Sequence, residues 1–188
     1  RLYVIDVEGV VTAMDAATGA TVWTARTVPG DDNPRARFGG GVSVEGERAF
    51  ASDGLGDVVA FNTADGKEVW RAKPGGPLRG APSLANGQVY VVSQDNQLFA
   101  LDQSDGKVVW TQSGSLESQG VFGVAAPASA QGTVVAGFSS GELNAYRYEN
   151  GRSVWGDSLS RTSASTSVSA LADIDAEPVI DNGRVYAV

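Results

Sequence analysis

Asp173 and Asp175, either side of Ile174 in Leu171-Ala-Asp-Ile-Asp-Ala-Glu-Pro178, are the carboxylates whose spacing best suits recognition. In an extended segment both point to one side and Ile174 to the other. Such a pair can face a partner, or it can belong to a solvated acidic loop and accept bonds from local backbone N–H groups. The residues alone leave both open. Asp31-Asp32-Asn33 offers oxygen atoms of the kind Ca²⁺ takes, but Pro34 follows directly and no spaced ligands accompany it. Asp15 and Asp102 share one position of an internal repeat, and Asp65 and Asp105 share another, which points to turn stabilisation and not to catalysis.

Histidine and cysteine are both absent from the 188 residues. That excludes disulfides, thiolate metal sites, thiol nucleophiles and the usual His-based nucleophile–base pairs. A net charge of −8 argues against nucleic acid or anionic lipid as a partner. Arg35 and Arg37, beside Asp31 and Asp32, read as a solvated loop. No apolar run is long enough for a transmembrane helix, and no signal peptide is evident. The chain opens inside a strand pattern at Arg1-Leu2-Tyr3-Val4, so the expected mature N-terminus lies upstream.

The elements that must carry these residues are set by one repeating frame. Trp23, Trp70, Trp110 and Trp155 recur at intervals of about 40–50 residues. Four residues before them stand Gly19, Gly66, Gly106 and Gly151; ten before, Ala13, Ala60, Ala100 and Ala145. Fourteen before stand Gly9, Gly56, Asn96 and Gly141, residue types that tolerate a positive φ in a hairpin turn. Twenty before stand Tyr3, Phe50, Tyr90 and Val135. The runs between turns alternate with period two and lack helical periodicity. Each repeat therefore reads as three clear strands preceded by a shorter one, such as Gly41–Val44, Ala81–Leu84, Ala126–Ala130 and Glu177–Ile180.

Four short strands per repeat of this length predict an all-β propeller. The small alanine lets one blade press on the next, and the tryptophan fills the gap at the periphery, so both are expected to be structural. The whole of 1–188 reads as one partial propeller domain. Its expected parts are the last three strands of one blade (1–26), three complete blades (40–73, 81–113, 123–158) and the first two strands of another (176–188). Exposed blade faces at both ends suggest a piece of a larger ring, which two copies could close by associating.

The frame aromatic-x₅-G-x₃-A-x-D-x₃-G-x₃-W resembles the PQQ-type propeller repeat; Val89–Trp110 is its closest copy, with Asn96 at the first glycine. The segments between repeats are narrower in what they resemble. Gly123-Val-Ala-Ala-Pro127 with Gly132-Thr-Val-Val-Ala-Gly137, the stretch Ser163–Pro178, Leu78-Arg-Gly-Ala-Pro82 and Phe38-Gly-Gly-Gly-Val42 stand in the order found in the BamB family, the lipoprotein propellers of outer-membrane β-barrel assembly. The resemblance implies an eight-bladed, cofactor-free, non-enzymatic scaffold. It would be lipid-anchored on the periplasmic side of the outer membrane, bind the POTRA repeats of BamA and assist outer-membrane proteins. It also implies a binding surface of two neighbouring loops. One carries Asp173 and Asp175; the other is Gln119-Gly120-Val121-Phe122, where members carry leucines and an arginine. Val121 keeps an apolar contact, whereas Gln119 stands for a leucine and Phe122 for the arginine, as an aromatic anchor. Ser158–Ala176 is also the longest insertion between repeats, and a long loop on a rigid scaffold is a usual place for binding. Two other readings share the repeat: a PQQ- and Ca²⁺-dependent dehydrogenase, and a generic protein- or glycan-binding propeller. The missing adjacent cysteine pair tells against the dehydrogenase.

Overall fold

The structure, a computed structural model, describes residues 1–28, 40–115, 125–159, 174 and 176–188. Seventeen strands and no helix occur among them, arranged as successive antiparallel meanders. The first sheet holds β1 (Leu2–Ile5), β2 (Val10–Met14) and β3 (Thr21–Arg26). Three four-stranded sheets follow. They are β4 (Gly41–Glu45) to β7 (Glu68–Ala72), β8 (Leu78–Ala85) to β11 (Val108–Ser113), and β12 (Ala128–Ala130) to β15 (Ser153–Ser158). The strands between are β5 (Arg48–Ser52), β6 (Val58–Asn62), β9 (Gln88–Ser93), β10 (Gln97–Asp102), β13 (Thr133–Gly137) and β14 (Glu142–Arg147). A hairpin of β16 (Val179–Asp181) and β17 (Arg184–Tyr186) ends the chain.

The first strands of neighbouring sheets, β4, β8, β12 and β16, approach one another, as the innermost strands of propeller blades do. Gly41 packs on Ala81, Ser43 donates to the Pro82 carbonyl at 2.6 Å, and Ser83 and Ser129 share a 2.8 Å hydroxyl contact. The last strand of each of these sheets, β3, β7, β11 and β15, has two or more exposed residues. One expectation fails here. The first strand of the middle blade is not short: β8 spans eight residues and is the longest strand described. Its pairing with β9 skips between Arg79 and Ser83, around Pro82, which has no N–H to give a ladder.

The repeat frame becomes a set of cross-strand rows. Tyr3–Ala13–Trp23, Phe50–Ala60–Trp70, Tyr90–Ala100–Trp110 and Val135–Ala145–Trp155 each lie opposite one another across three strands. Directly after each alanine the register slips by one residue. The extra residue is the valine before the tryptophan, Val22, Val69, Val109 or Val154, and it faces solvent each time. This bulge turns the indole inward out of strict alternation.

Trp23, Trp70 and Trp110 are buried, and each donates Nε1–H to a carbonyl of the following blade: Thr63, Gln103 and Tyr148, at 2.8–2.9 Å. Each ring also lies against the turn glycine of that blade, Gly66, Gly106 or Gly151. Trp155 differs. It is 38% exposed, beside the β16–β17 hairpin, and borders an open apolar groove with Leu143, Val179, Tyr186 and Val188. The cores lie between blades: Trp110, Tyr90 and Leu98 meet Val134, Phe138 and Tyr146, for example.

Candidate functional site

In an up-and-down meander the second-to-third-strand turns lie at the same end of every blade as the connections between blades. That face gathers the β1–β2, β5–β6, β9–β10 and β13–β14 turns, with Ser115 and Ile174 beside the last of them. Gln119, Val121, Phe122, Asp173 and Asp175 all lie outside the described residues, as do Asp31, Asp32, Asn33, Arg35 and Arg37. What the structure describes is the ground beside the two segments that hold the expected partner-binding residues.

Ser115 is the last described residue before the first segment. Its N–H and hydroxyl both donate to the Glu142 carboxylate at 2.7 Å, one to each oxygen. Its carbonyl accepts from Asn96 Nδ2 at 2.8 Å. Asn96 takes the left-handed conformation of the glycine it replaces, with φ 58°, and its Oδ1 accepts from Ser139 N–H and Oγ–H. A glycine could make the turn but none of these three bonds. The Ser115 amide, the Ser115 hydroxyl and the Ser140 hydroxyl together hold the Glu142 carboxyl below the usual range.

Ile174 is the one described residue of the second segment, and it is 1% exposed. Its side chain packs with Val135, Leu143 and Ala145, and a β-carbon on Gly137 would meet it at 2.5 Å. Its N–H donates to the Phe138 carbonyl at 3.4 Å. Phe138 also carries Gly114 against its ring. Ser115 and Ile174 therefore rest on the same turn, Phe138–Glu142.

The repeated carboxylates do the work of turns. Asp15 Oδ1 accepts from the Ala17 and Thr18 amides, Asp102 Oδ1 from the Ser104 amide, and Asn62 does the same for Ala64. Asp65 and Asp105 cap the next residues in the same way, receiving the amides of Lys67 and Lys107. The Asp15, Asp65, Asp102 and Asp105 carboxyls all lie below their ordinary range, chiefly through hydrogen bonds from Thr18, Lys67, Ser104 and Lys107. Asp57 goes the other way: burial raises it, then the nearby Asp53, against Lys73 and Arg71. Among the described residues no group of three Asp or Glu is placed to hold a metal ion.

A family model described as outer membrane protein assembly factor BamB matches residues 7–188. The chain belongs to the BamB family. It is 31% identical to the outer membrane protein assembly factor BamB of Yersinia pestis, covering 100% of this chain and 49% of that protein. It thus spans about half the length of the curated BamB relatives it matches. The crystal structure of BamB from Moraxella catarrhalis superposes with a TM-score of 0.76 at 21% identity, over 98% of this chain and 51% of that one. A europium-containing methanol dehydrogenase shares the fold at a TM-score of 0.55 and 22% identity, over only 65% of this chain. All-β propeller blades and BamB membership are thereby both shown. Sequence reasoning did not single out Glu142, and read Asn96 only as a turn residue, although both bond Ser115. The signal was present in Asn96, the one non-glycine at its repeat position.

Proposed function

We propose that this chain is a non-enzymatic scaffold of outer-membrane β-barrel assembly, acting on the periplasmic side of the outer membrane. In this reading it binds the POTRA repeats of BamA through Asp173 and Asp175 on one segment and Val121, Phe122 and Gln119 on the other. In full length it would be tethered by an N-terminal lipid and would assist outer-membrane proteins as they are inserted. The observation that carries the proposal is the family match over 7–188, which includes both segments. The burial of Ile174 supports it, since an apolar residue held in the core gives the segment an anchor on a rigid blade.

The experiment is calorimetric titration of the chain with the POTRA repeats of BamA from the same source, beside the Asp173→Arg/Asp175→Arg variant. Loss of binding in the variant supports the acidic segment as the contact. Unchanged binding would move the site to Val121 and Phe122, and absence of binding by the folded parent chain would remove the proposal.

A further inference from the structure

We propose that the Phe138–Glu142 turn, with Asn96 beneath it, is a shared platform that fixes the spacing of the two partner-facing segments. This rests on the partner reading above. The platform binds the first segment at Ser115, whose amide, hydroxyl and carbonyl are all engaged, two by Glu142 and one by Asn96. It binds the second at Ile174, through the Phe138 carbonyl and the notch left by Gly137. Phe138 itself is closed onto Glu142 by a 2.9 Å backbone bond, so the two anchorages are one turn apart in a single hydrogen-bonded unit. Asn96 ties that unit to the preceding blade through Ser139.

The arrangement is particular to this junction. At the position of Asn96 the other repeats have Gly9, Gly56 and Gly141, and at the position of Glu142 they have Val10, Asp57 and Gln97. Asp57 turns to Arg71 and Lys73 of its own sheet and not to the preceding connection. A carboxylate at one position and an amide at the other thus occur together at this junction, a combination the other repeats do not offer. Charge-assisted bonds to a backbone amide are the stronger kind, suited to holding a segment that must not drift when a partner arrives.

The test uses residues native to the other repeats, Asn96→Gly and Glu142→Val, singly and together, so the turns keep a conformation the fold already accepts. Amide hydrogen exchange is followed at Ser115, at Ile174 and at Ala100 as an internal control, and POTRA binding is followed by calorimetry. The expected result is faster exchange at both Ser115 and Ile174 with Ala100 unchanged, and binding weaker by about tenfold, the scale of one lost charge-assisted bond. Glu142→Gln, which keeps an acceptor oxygen, should fall between. Acceleration at Ser115 alone overturns the shared platform. So does acceleration at both sites with undiminished binding. If Asn96→Gly and Glu142→Val lose Ala100 protection, the milder Glu142→Gln decides by the same two amides. Absence of POTRA binding by the folded parent chain refutes the partner reading instead, while exchange at Ser115 and Ile174 still judges the platform.

Discussion

Trp70 meets Gly106 across a blade junction so closely that a β-carbon on the glycine would lie 2.6 Å from Cε3 of the indole. The same indole donates to the carbonyl of Gln103, three residues before that glycine, at 2.9 Å. Trp23 with Gly66 and Trp110 with Gly151 repeat the relation. The glycine thus answers two demands at once, a positive φ in its own turn and a bare surface for the neighbour's ring.

Gly19 separates the two demands, because its φ is +72° but nothing lies within 4 Å of the β-carbon it lacks. Gly19→Ala should cost about 1 kcal/mol from backbone strain alone. Gly106→Ala should cost about 2–4 kcal/mol, as the displaced indole adds to the strain. Urea unfolding of the two variants side by side measures the difference.

The tryptophans divide in a similar way. Trp70→Ala should destabilise by about 3–5 kcal/mol, and Trp70→Phe by about 1 kcal/mol for the lost Nε1 bond. Trp155→Ala should cost under about 2 kcal/mol, since that ring is 38% exposed. Equal losses at Trp70 and Trp155 in thermal unfolding would contradict this.

Acid should loosen the hairpin turns. The Asp102 carboxyl is held low by the Ser104 hydroxyl and amide, so its folded value lies below its unfolded one. Its contribution is complete above the ordinary Asp range, about 3.9, and is lost as pH falls through the lower folded value. Asn62 fills this position in another repeat and accepts from Ala64 without titrating. Asp15→Asn/Asp102→Asn should therefore fold normally and show a flatter fall of the urea midpoint between neutral pH and acid.

Ile174 should behave as a core residue despite its place in a long insertion. Ile174→Ala should cost about 2–4 kcal/mol, and Ile174→Val about 1 kcal/mol. Chemical unfolding reads both; a change near zero for the alanine would detach the segment from the blade.

Much of the fold was readable because a repeat supplies its own controls. The four glycines before the tryptophans, the alanines and the positive-φ turn positions all take the places the frame assigns. What stayed hidden depends on contacts between repeats. The bulge valines look like ordinary strand residues, and only the register shows that they are extra. The length of β8 was obscured by Pro82, which reads as a strand end although it sits within a slipped ladder. The exposure of Trp155 depends on what stands next to it, which no pattern within its own repeat can state. Alternation sets Ile174 apart from Asp173 and Asp175; Ile174 is buried, and the two carboxylates lie outside the described residues. Asn96 read only as a turn residue, because its side-chain partners, Ser115 and Ser139, are distant in sequence.

The two ends of each blade obey different rules. At one end the hairpins after β4, β8 and β12 and before the tryptophans are a few residues long, and their glycines and carboxylates are fixed by geometry. At the other end the chain passes from blade to blade, and the indole-to-glycine clasps do not depend on how long that passage is. Lengthening or rewriting a passage costs only a slowly growing loop entropy. Such a molecule can change what it recognises on one side while its architecture is conserved by the other, so diversity in partners and constancy of form need not compete for the same residues.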